Sequence, residues 1–72
     1  MKVLIIGAGE IGAQVARYLV DEKQSVVVIE RDATKCRELS VHVDAAIIEG
    51  DGTDPAVLLR AGVADAELIL SV

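Results

Sequence analysis

The chain has 72 residues, of which 53% are hydrophobic and 1% aromatic, and its formal net charge is −5. This length allows one small domain at most, and a marginal one if it folds alone. The acidic balance and the scarcity of aromatic rings argue against nucleic-acid binding, which relies on clustered Lys and Arg and on base stacking.

Strands and helices alternate along the whole chain according to the spacing of apolar residues. The patterns predict strands over residues 2–6, 25–30, 45–49 and 67–72 and a helix over residues 10–21. They also predict a helix from Asp32 or Thr34 to about Ser40, and another that begins at Asp54-Pro55 and ends before Gly62. We expect the first helix to pack through Ile11, Val15, Tyr18 and Leu19. The order β-α-β-α-β-α-β predicts a Rossmann-like α/β fold, with a parallel sheet and helices on both faces.

The final residues form an apolar strand pattern with no closing turn after it. A complete doubly wound dinucleotide-binding domain needs about twice this length, because it is built from two βαβαβ halves. The chain is therefore either half of such a fold completed by a partner, or a fragment. We favour truncation and expect residues 1–72 to be the N-terminal part of a Rossmann-type NAD-binding domain.

A glycine-rich motif follows the first strand and opens the first helix. It fits G-x-G-x-x-G and consists of Gly7, Ala8, Gly9, Glu10, Ile11 and Gly12. In this context the first glycine permits the tight turn, the second lets a pyrophosphate approach the backbone, and the third lets helix and strand pack closely. The N–H groups and the positive end of the helix dipole then face the phosphates.

Glu30 ends the second strand, about 20 residues after the glycine motif. Dinucleotide-binding Rossmann folds carry the acid that binds the ribose in this region. A carboxylate there accepts hydrogen bonds from the ribose hydroxyls and repels a 2′-phosphate, which favours NAD over NADP. The neighbouring Arg31 weakens that preference, because a guanidinium can pair with a 2′-phosphate. The turn after the third strand holds Asp51 and Gly52 on the same edge of the sheet. Asp51 either accepts from an adenine amino group or orders the turn.

The remaining reactive side chains have structural explanations. No nucleophile–base pair and no Cys/His cluster with metal-ligand spacing is visible, so we expect no catalytic residues and no metal. We interpret His42 as an exposed residue between helix and strand, Cys36 as a small core residue, and Tyr18 as helix packing. A single cysteine forms no internal disulfide, which favours a cytosolic setting. No apolar run is long enough for direct membrane insertion.

Several stretches together resemble the N-terminal nucleotide-binding domain of Trk/Ktr potassium-transport regulators, called TrkA-N, KTN or RCK domains. The resemblance covers essentially all of the chain and rests on Met1–Gly9, on Val28–Asp32, and above all on Gly50–Glu67. The last stretch begins Gly50-Asp51-Gly52-Thr53-Asp54-Pro55 and is more discriminating than the glycine motif, because generic dehydrogenases do not share it.

The resemblance implies a cytoplasmic regulatory domain that binds NAD(H), or ATP and ADP in related members. It implies self-association into a homodimer or larger ring, peripheral to the inner face of the cell membrane, that gates a membrane-embedded potassium channel or transporter subunit. By motif position Gly7, Gly9 and Gly12 would hold phosphates, Glu30 the ribose and Asp51 the adenine side. Many ATP-responsive members carry arginine where this chain has Glu10, which favours NAD(H) over ATP.

Two alternatives to a regulatory domain stay open. The glycine motif and Glu30, taken alone, would also suit the cofactor-binding half of an NAD-dependent dehydrogenase whose catalytic residues lie elsewhere. The chain would also suit a self-associating fragment that has lost ligand affinity because half of its cleft is missing.

Overall fold

A computed structural model describes all residues from Met1 to Val72. Four strands and three helices alternate along the chain. They are β1 (Lys2–Ile6), α1 (Glu10–Asp21), β2 (Ser25–Glu30), α2 (Ala33–His42), β3 (Ala46–Glu49), α3 (Pro55–Arg60) and β4 (Leu68–Ser71). A single 3₁₀ turn, Val63–Asp65, separates α3 from β4. The predicted order of elements is confirmed.

All strands are parallel and form one sheet in the order β3-β2-β1-β4. The central strands β1 and β2 are covered on both sides, which explains their unbroken apolar sequences. One apolar cluster packs Ala16 of α1 and Leu39 of α2 against the sheet. A second cluster packs Val57 of α3 and Ala61, which directly follows this helix, against the opposite face. The predicted Rossmann-like fold, with helices on both faces, is thus confirmed.

Helix ends follow the local chemistry of the sequence. The Asp32 side chain caps α2 by accepting from the N–H groups of Thr34 and Lys35, and Asp54 caps α3 by accepting from that of Ala56. Gly62 follows α3 with φ +85°, in the left-handed region where glycine is favoured. No helix has both the length and the apolar character needed to cross a membrane.

The packing face of α1 differs from the prediction. Gly12 and Ala16 are its buried residues, whereas Ile11 is 68% and Tyr18 63% exposed. Small residues allow the helix axis to come close to the sheet, and Ile11 and Tyr18 lie outside the face that they form. The prediction was wrong for Ile11 and Tyr18, whereas Val15 and Leu19 are partly buried and pack against the core as expected.

His42 and Cys36 differ slightly from the predictions in their secondary structure and burial, respectively. His42 is exposed as expected but forms the last residue of α2, because this helix continues beyond Ser40. Cys36 is only partly buried, and its thiol donates to the Glu30 carbonyl oxygen at 3.4 Å. Burial, followed by the nearby carboxylates of Glu49, Glu30 and Asp32, raises the pKa of this thiol above its ordinary value. The Cys36 thiol is thus held in its neutral form, as suits a structural residue.

Candidate functional site

The carboxyl ends of all four parallel strands meet along one edge of the sheet, where they surround a cleft of about 420 Å³. The register aligns Ile6 with Ile29 and with Ser71, so β1, β2 and β4 end nearly level. Open parallel sheets bind their ligands at this edge. The cleft is lined by Ile6, Gly7, Ile29, Glu30, Arg31, Gly50, Asp51, Gly52, Thr53, Ser71 and Val72.

The turn between β1 and α1 is held in shape by glycines and by backbone contacts. Gly7 has φ +109°, a conformation that side chains rarely adopt, and its N–H donates to the Ile29 carbonyl oxygen at 2.8 Å. A Cβ on Gly12 would meet the Gly7 carbonyl oxygen, whereas a Cβ on Gly9 would meet nothing within 4 Å. Gly12 is therefore needed for close packing, and Gly9 leaves open space in front of the helix.

The N-terminus of α1 is open. Gly9 is its N-cap residue and provides no side-chain hydrogen bond, unlike the aspartates that cap α2 and α3. The first backbone hydrogen bond of the helix runs from Ala13 N–H to the Gly9 carbonyl oxygen at 2.9 Å. The N–H groups that precede Ala13 in the first turn have no partner within the helix. They form the kind of donor set that binds an anion.

Glu30 is the one buried charged residue, with 7% of its surface exposed. One carboxylate oxygen accepts from Ala8 N–H at 2.7 Å and the other from Asp32 N–H at 2.8 Å. Burial raises the pKa of this carboxyl, but the hydrogen bonds from Ala8 and Asp32 and the charge of Lys35 lower it, and the net pKa lies below its ordinary 4.5. Glu30 is thus an anion at neutral pH that joins the glycine turn to the start of α2.

Arg31 and Asp51 form an ion pair across the ends of β2 and β3, with Arg31 Nη2 2.9 Å from Asp51 Oδ2. The other Asp51 oxygen accepts from both the N–H and the hydroxyl of Thr53, each at 2.8 Å. These two bonds from Thr53, followed by the charge of Arg31, hold the pKa of Asp51 below its ordinary 3.8. Of the two predicted roles of Asp51, ordering the turn is the one seen in these contacts.

The predicted site residues divide into three locations. The cleft contains Gly7, Glu30, Arg31, Asp51 and Gly52. Ala8, Gly9 and Glu10 line an adjacent groove of about 350 Å³ between α1 and α2. Gly12 is buried beneath the turn, while Ile11 projects into solvent.

The profile of the TrkA-N domain family matches residues 3–72. The chain belongs to this family. This match confirms the resemblance inferred from the sequence.

Curated relatives carry the same family's name in their descriptions. The chain is 38% identical over its full length to the "Trk system potassium uptake protein TrkA" of Halomonas elongata, of which it spans 16%. It is 43% identical, over 93% of its length, to the "Trk system potassium uptake protein TrkA homolog" of Pyrococcus abyssi, of which it spans 30%. The chain is 35% identical over its full length to a Vibrio alginolyticus protein that has the same name as the Halomonas protein, and it spans 16% of that protein. The chain thus spans under a third of each of these relatives.

Some residues of the TrkA-N cleft had no predicted role. Thr53 orders the β3 turn through Asp51, and Ser71 and Val72 enter from the end of β4. The available signal was topological, because a residue at the carboxyl end of any parallel strand belongs to this edge. No group of three or more His, Cys, Asp or Glu side chains is placed to hold a metal ion.

Proposed function

We propose that this TrkA-N chain is the nucleotide-binding part of a regulatory protein of a potassium uptake system, and that its ligand is NAD(H). The family match and the names of the relatives support the potassium-uptake role. Residues 1–72 would form the N-terminal part of a larger Rossmann-type domain, in keeping with the greater length of those relatives. Because the relatives are named as uptake proteins, we assign a binding role and no catalytic one.

The open N-terminus of α1 beside Glu30 is the observation that carries the nucleotide proposal. The free N–H groups of the first helical turn and the missing Cβ of Gly9 fit a pyrophosphate at the helix end. The Glu30 carboxylate is anionic and lines the cleft at the adjacent strand end, where it suits ribose hydroxyls. Each carboxylate oxygen retains acceptor capacity beyond its one backbone hydrogen bond. Asp51 and Arg31 would lie beside the adenosine half.

The preference for NAD(H) over ATP or ADP follows from charge at the helix end. Glu10 is the first residue of α1 and is exposed beside Gly9. The terminal phosphate of ATP or ADP brings more negative charge close to this carboxylate than the diester pyrophosphate of NAD(H) does. ATP and ADP are therefore the weaker ligands in this proposal.

Regulation would proceed by a shift between conformations and without chemistry on the ligand. A nucleotide in the cleft would contact the glycine turn, the end of β2 and the turn after β3 together. Two nucleotides with different contacts to these segments would favour different conformations. We propose that the full protein is cytoplasmic, associates with itself as a homodimer or larger ring, and gates a membrane-embedded potassium channel or transporter subunit from its inner face.

Calorimetric titration of the full-length protein with NADH, NADPH, ATP and ADP tests the ligand. We expect NADH to bind most tightly and Glu30→Gln to weaken it by about tenfold, the loss expected for one hydrogen bond to a charged group. Glu49→Gln is the matched control, because Glu49 is aligned with Glu30 on β3 but is exposed and outside the cleft. Absence of binding by all four nucleotides, or tighter binding of NADPH than of NADH, would contradict the proposal.

A further inference from the structure

The Arg31–Asp51 ion pair belongs to the lining of the cleft, as does Glu30, the proposed ribose ligand. Arg31 directly follows Glu30, and Asp51 lies in the turn after β3, so the pair joins two strand ends. Arg31 is the only cation among the residues that line the cleft. Lys35 lies in the adjacent groove, so within the cleft lining an anionic group attached to the ribose would have Arg31 as its cationic partner.

Asp51 is fixed more firmly than Arg31. Its Oδ1 accepts two hydrogen bonds from Thr53, so its Oδ2 is directed at the guanidinium by an ordered turn. The Arg31 side chain is 72% exposed and is anchored only by its contact with Asp51. If Arg31 turned toward another anion, the Asp51 charge would stay in place beside that anion.

We infer that Asp51 is a specificity-determining residue that makes the cleft select an adenosine with a free 2′-hydroxyl over one with a 2′-phosphate. The cleft lining carries two carboxylates, Glu30 and Asp51, and one guanidinium. An exposed ion pair is weak by itself, so the discrimination comes mainly from the fixed Asp51 charge, which also offsets the attraction of Arg31. The inference rests on the proposed nucleotide-binding function and adds a second determinant to Glu30.

Replacing Asp51 by asparagine tests this inference, because Asn keeps the size of the side chain and an oxygen for Thr53. The measurement is calorimetric affinity of the full-length protein for NADH and NADPH, and for adenosine 5′-monophosphate and adenosine 2′,5′-bisphosphate, which differ only in the 2′-phosphate. We expect Asp51→Asn to shift the preference toward the 2′-phosphorylated member of each pair by about tenfold, the size of one charge–charge interaction at a partly exposed site. Asp44→Asn is the matched control, since Asp44 is exposed and precedes β3 at the opposite edge.

Two further variants make the outcome decisive. Arg31→Gln in the Asp51→Asn background should reduce the gain without abolishing it, because the attraction of Arg31 is lost while the Asp51 charge stays removed. Asp51→Ser removes the charge while its hydroxyl can still accept from the turn, and should show the same shift if Asp51→Asn folds poorly. If the wild-type protein binds NADH but both Asp51 variants keep its preference for ligands without a 2′-phosphate, the inference about Asp51 is overturned and the proposed function is not. A wild-type protein that binds none of these nucleotides would overturn the proposed function and this inference with it.

Discussion

The Glu30 carboxylate accepts the Ala8 N–H at 2.7 Å and thereby joins two segments 22 residues apart in the chain. The same carboxylate accepts from Asp32 N–H, the residue that caps α2. One buried anion thus positions the glycine turn, the end of β2 and the start of α2 relative to one another. The residue proposed to bind ribose also supports the fold around its own site.

Glu30→Gln should destabilise the protein as well as weaken nucleotide binding. A carboxamide has one acceptor oxygen, so its NH₂ group would face one of the two backbone N–H donors. We expect a loss of about 1–3 kcal/mol in the free energy of unfolding, the usual cost of an unmatched buried donor. Urea denaturation measures it, with Glu49→Gln as the control. Equal stability of the two variants would mean that the Ala8 and Asp32 contacts contribute nothing.

The stability of the wild type should depend on pH through Glu30. Its pKa in the folded protein is lower than its ordinary 4.5, so its contribution is present above that pH and is lost as the pH falls through the folded-state value. Urea midpoints measured from neutral pH to about pH 3 should therefore fall more steeply for the wild type than for Glu30→Gln. Parallel curves would show that Glu30 ionises alike in the folded and unfolded chains.

Gly12→Ala and Gly9→Ala should separate folding from binding. A Cβ at position 12 would meet the Gly7 carbonyl oxygen, and we expect a loss of about 1–3 kcal/mol from overpacking. A Cβ at position 9 has open space, so its effect on folding should stay below about 1 kcal/mol. That methyl group would nevertheless obstruct a phosphate at the helix end, and calorimetry should show weaker NADH binding. The reverse pattern would contradict the assigned glycine roles.

Glu10→Arg should raise the affinity for ATP relative to NADH. The substitution replaces an exposed carboxylate at the start of α1 by a cation that attracts the additional phosphate. A cation at a helix N-terminus costs about 0.3–1 kcal/mol in stability, which thermal denaturation would detect. Glu22→Arg, the same charge change at the exposed far end of α1, should leave the ligand preference unchanged. Equal preferences in the two variants would refute the role given to Glu10.

The packing face of α1 can be tested with Tyr18. Because Tyr18 is 63% exposed, Tyr18→Ala should change the free energy of unfolding by no more than about 0.5 kcal/mol. Leu39→Ala, which removes a side chain that is 4% exposed, should cost about 2–5 kcal/mol. A large loss from Tyr18→Ala would restore the face expected from apolar periodicity.

Helix ends that depend on interactions within a few residues could be predicted from the sequence. Contacts between segments distant in the chain could not. Asp54, Pro55 and Gly62 mark helix ends through interactions within a few residues, so α3 was placed closely. The face of α1 was predicted only in part, because periodicity gives weight to large apolar residues such as Ile11 and Tyr18, whereas Gly12 and Ala16 are the residues that pack closest to the sheet. These differences arise from tertiary packing, which a linear pattern does not contain.

In the candidate site, too, the location could be predicted from the sequence and the contacts between distant residues could not. Its strand-end location followed from parallel topology and the glycine motif. The Arg31–Asp51 pair depends on the register of β2 against β3, and the Glu30–Ala8 bond depends on how the turn folds back over β2. Neither follows from spacing along the chain.

Hydrogen–deuterium exchange of the full-length protein with and without NADH tests the central claim most directly. If the nucleotide binds at the strand-end cleft, exchange should slow in peptides that cover residues 7–14 and 30–36. A peptide over residues 61–66, which lies before β4 at the opposite edge of the sheet, should be unaffected. Unchanged exchange at the glycine turn and at Glu30 under saturating NADH would contradict the proposed site.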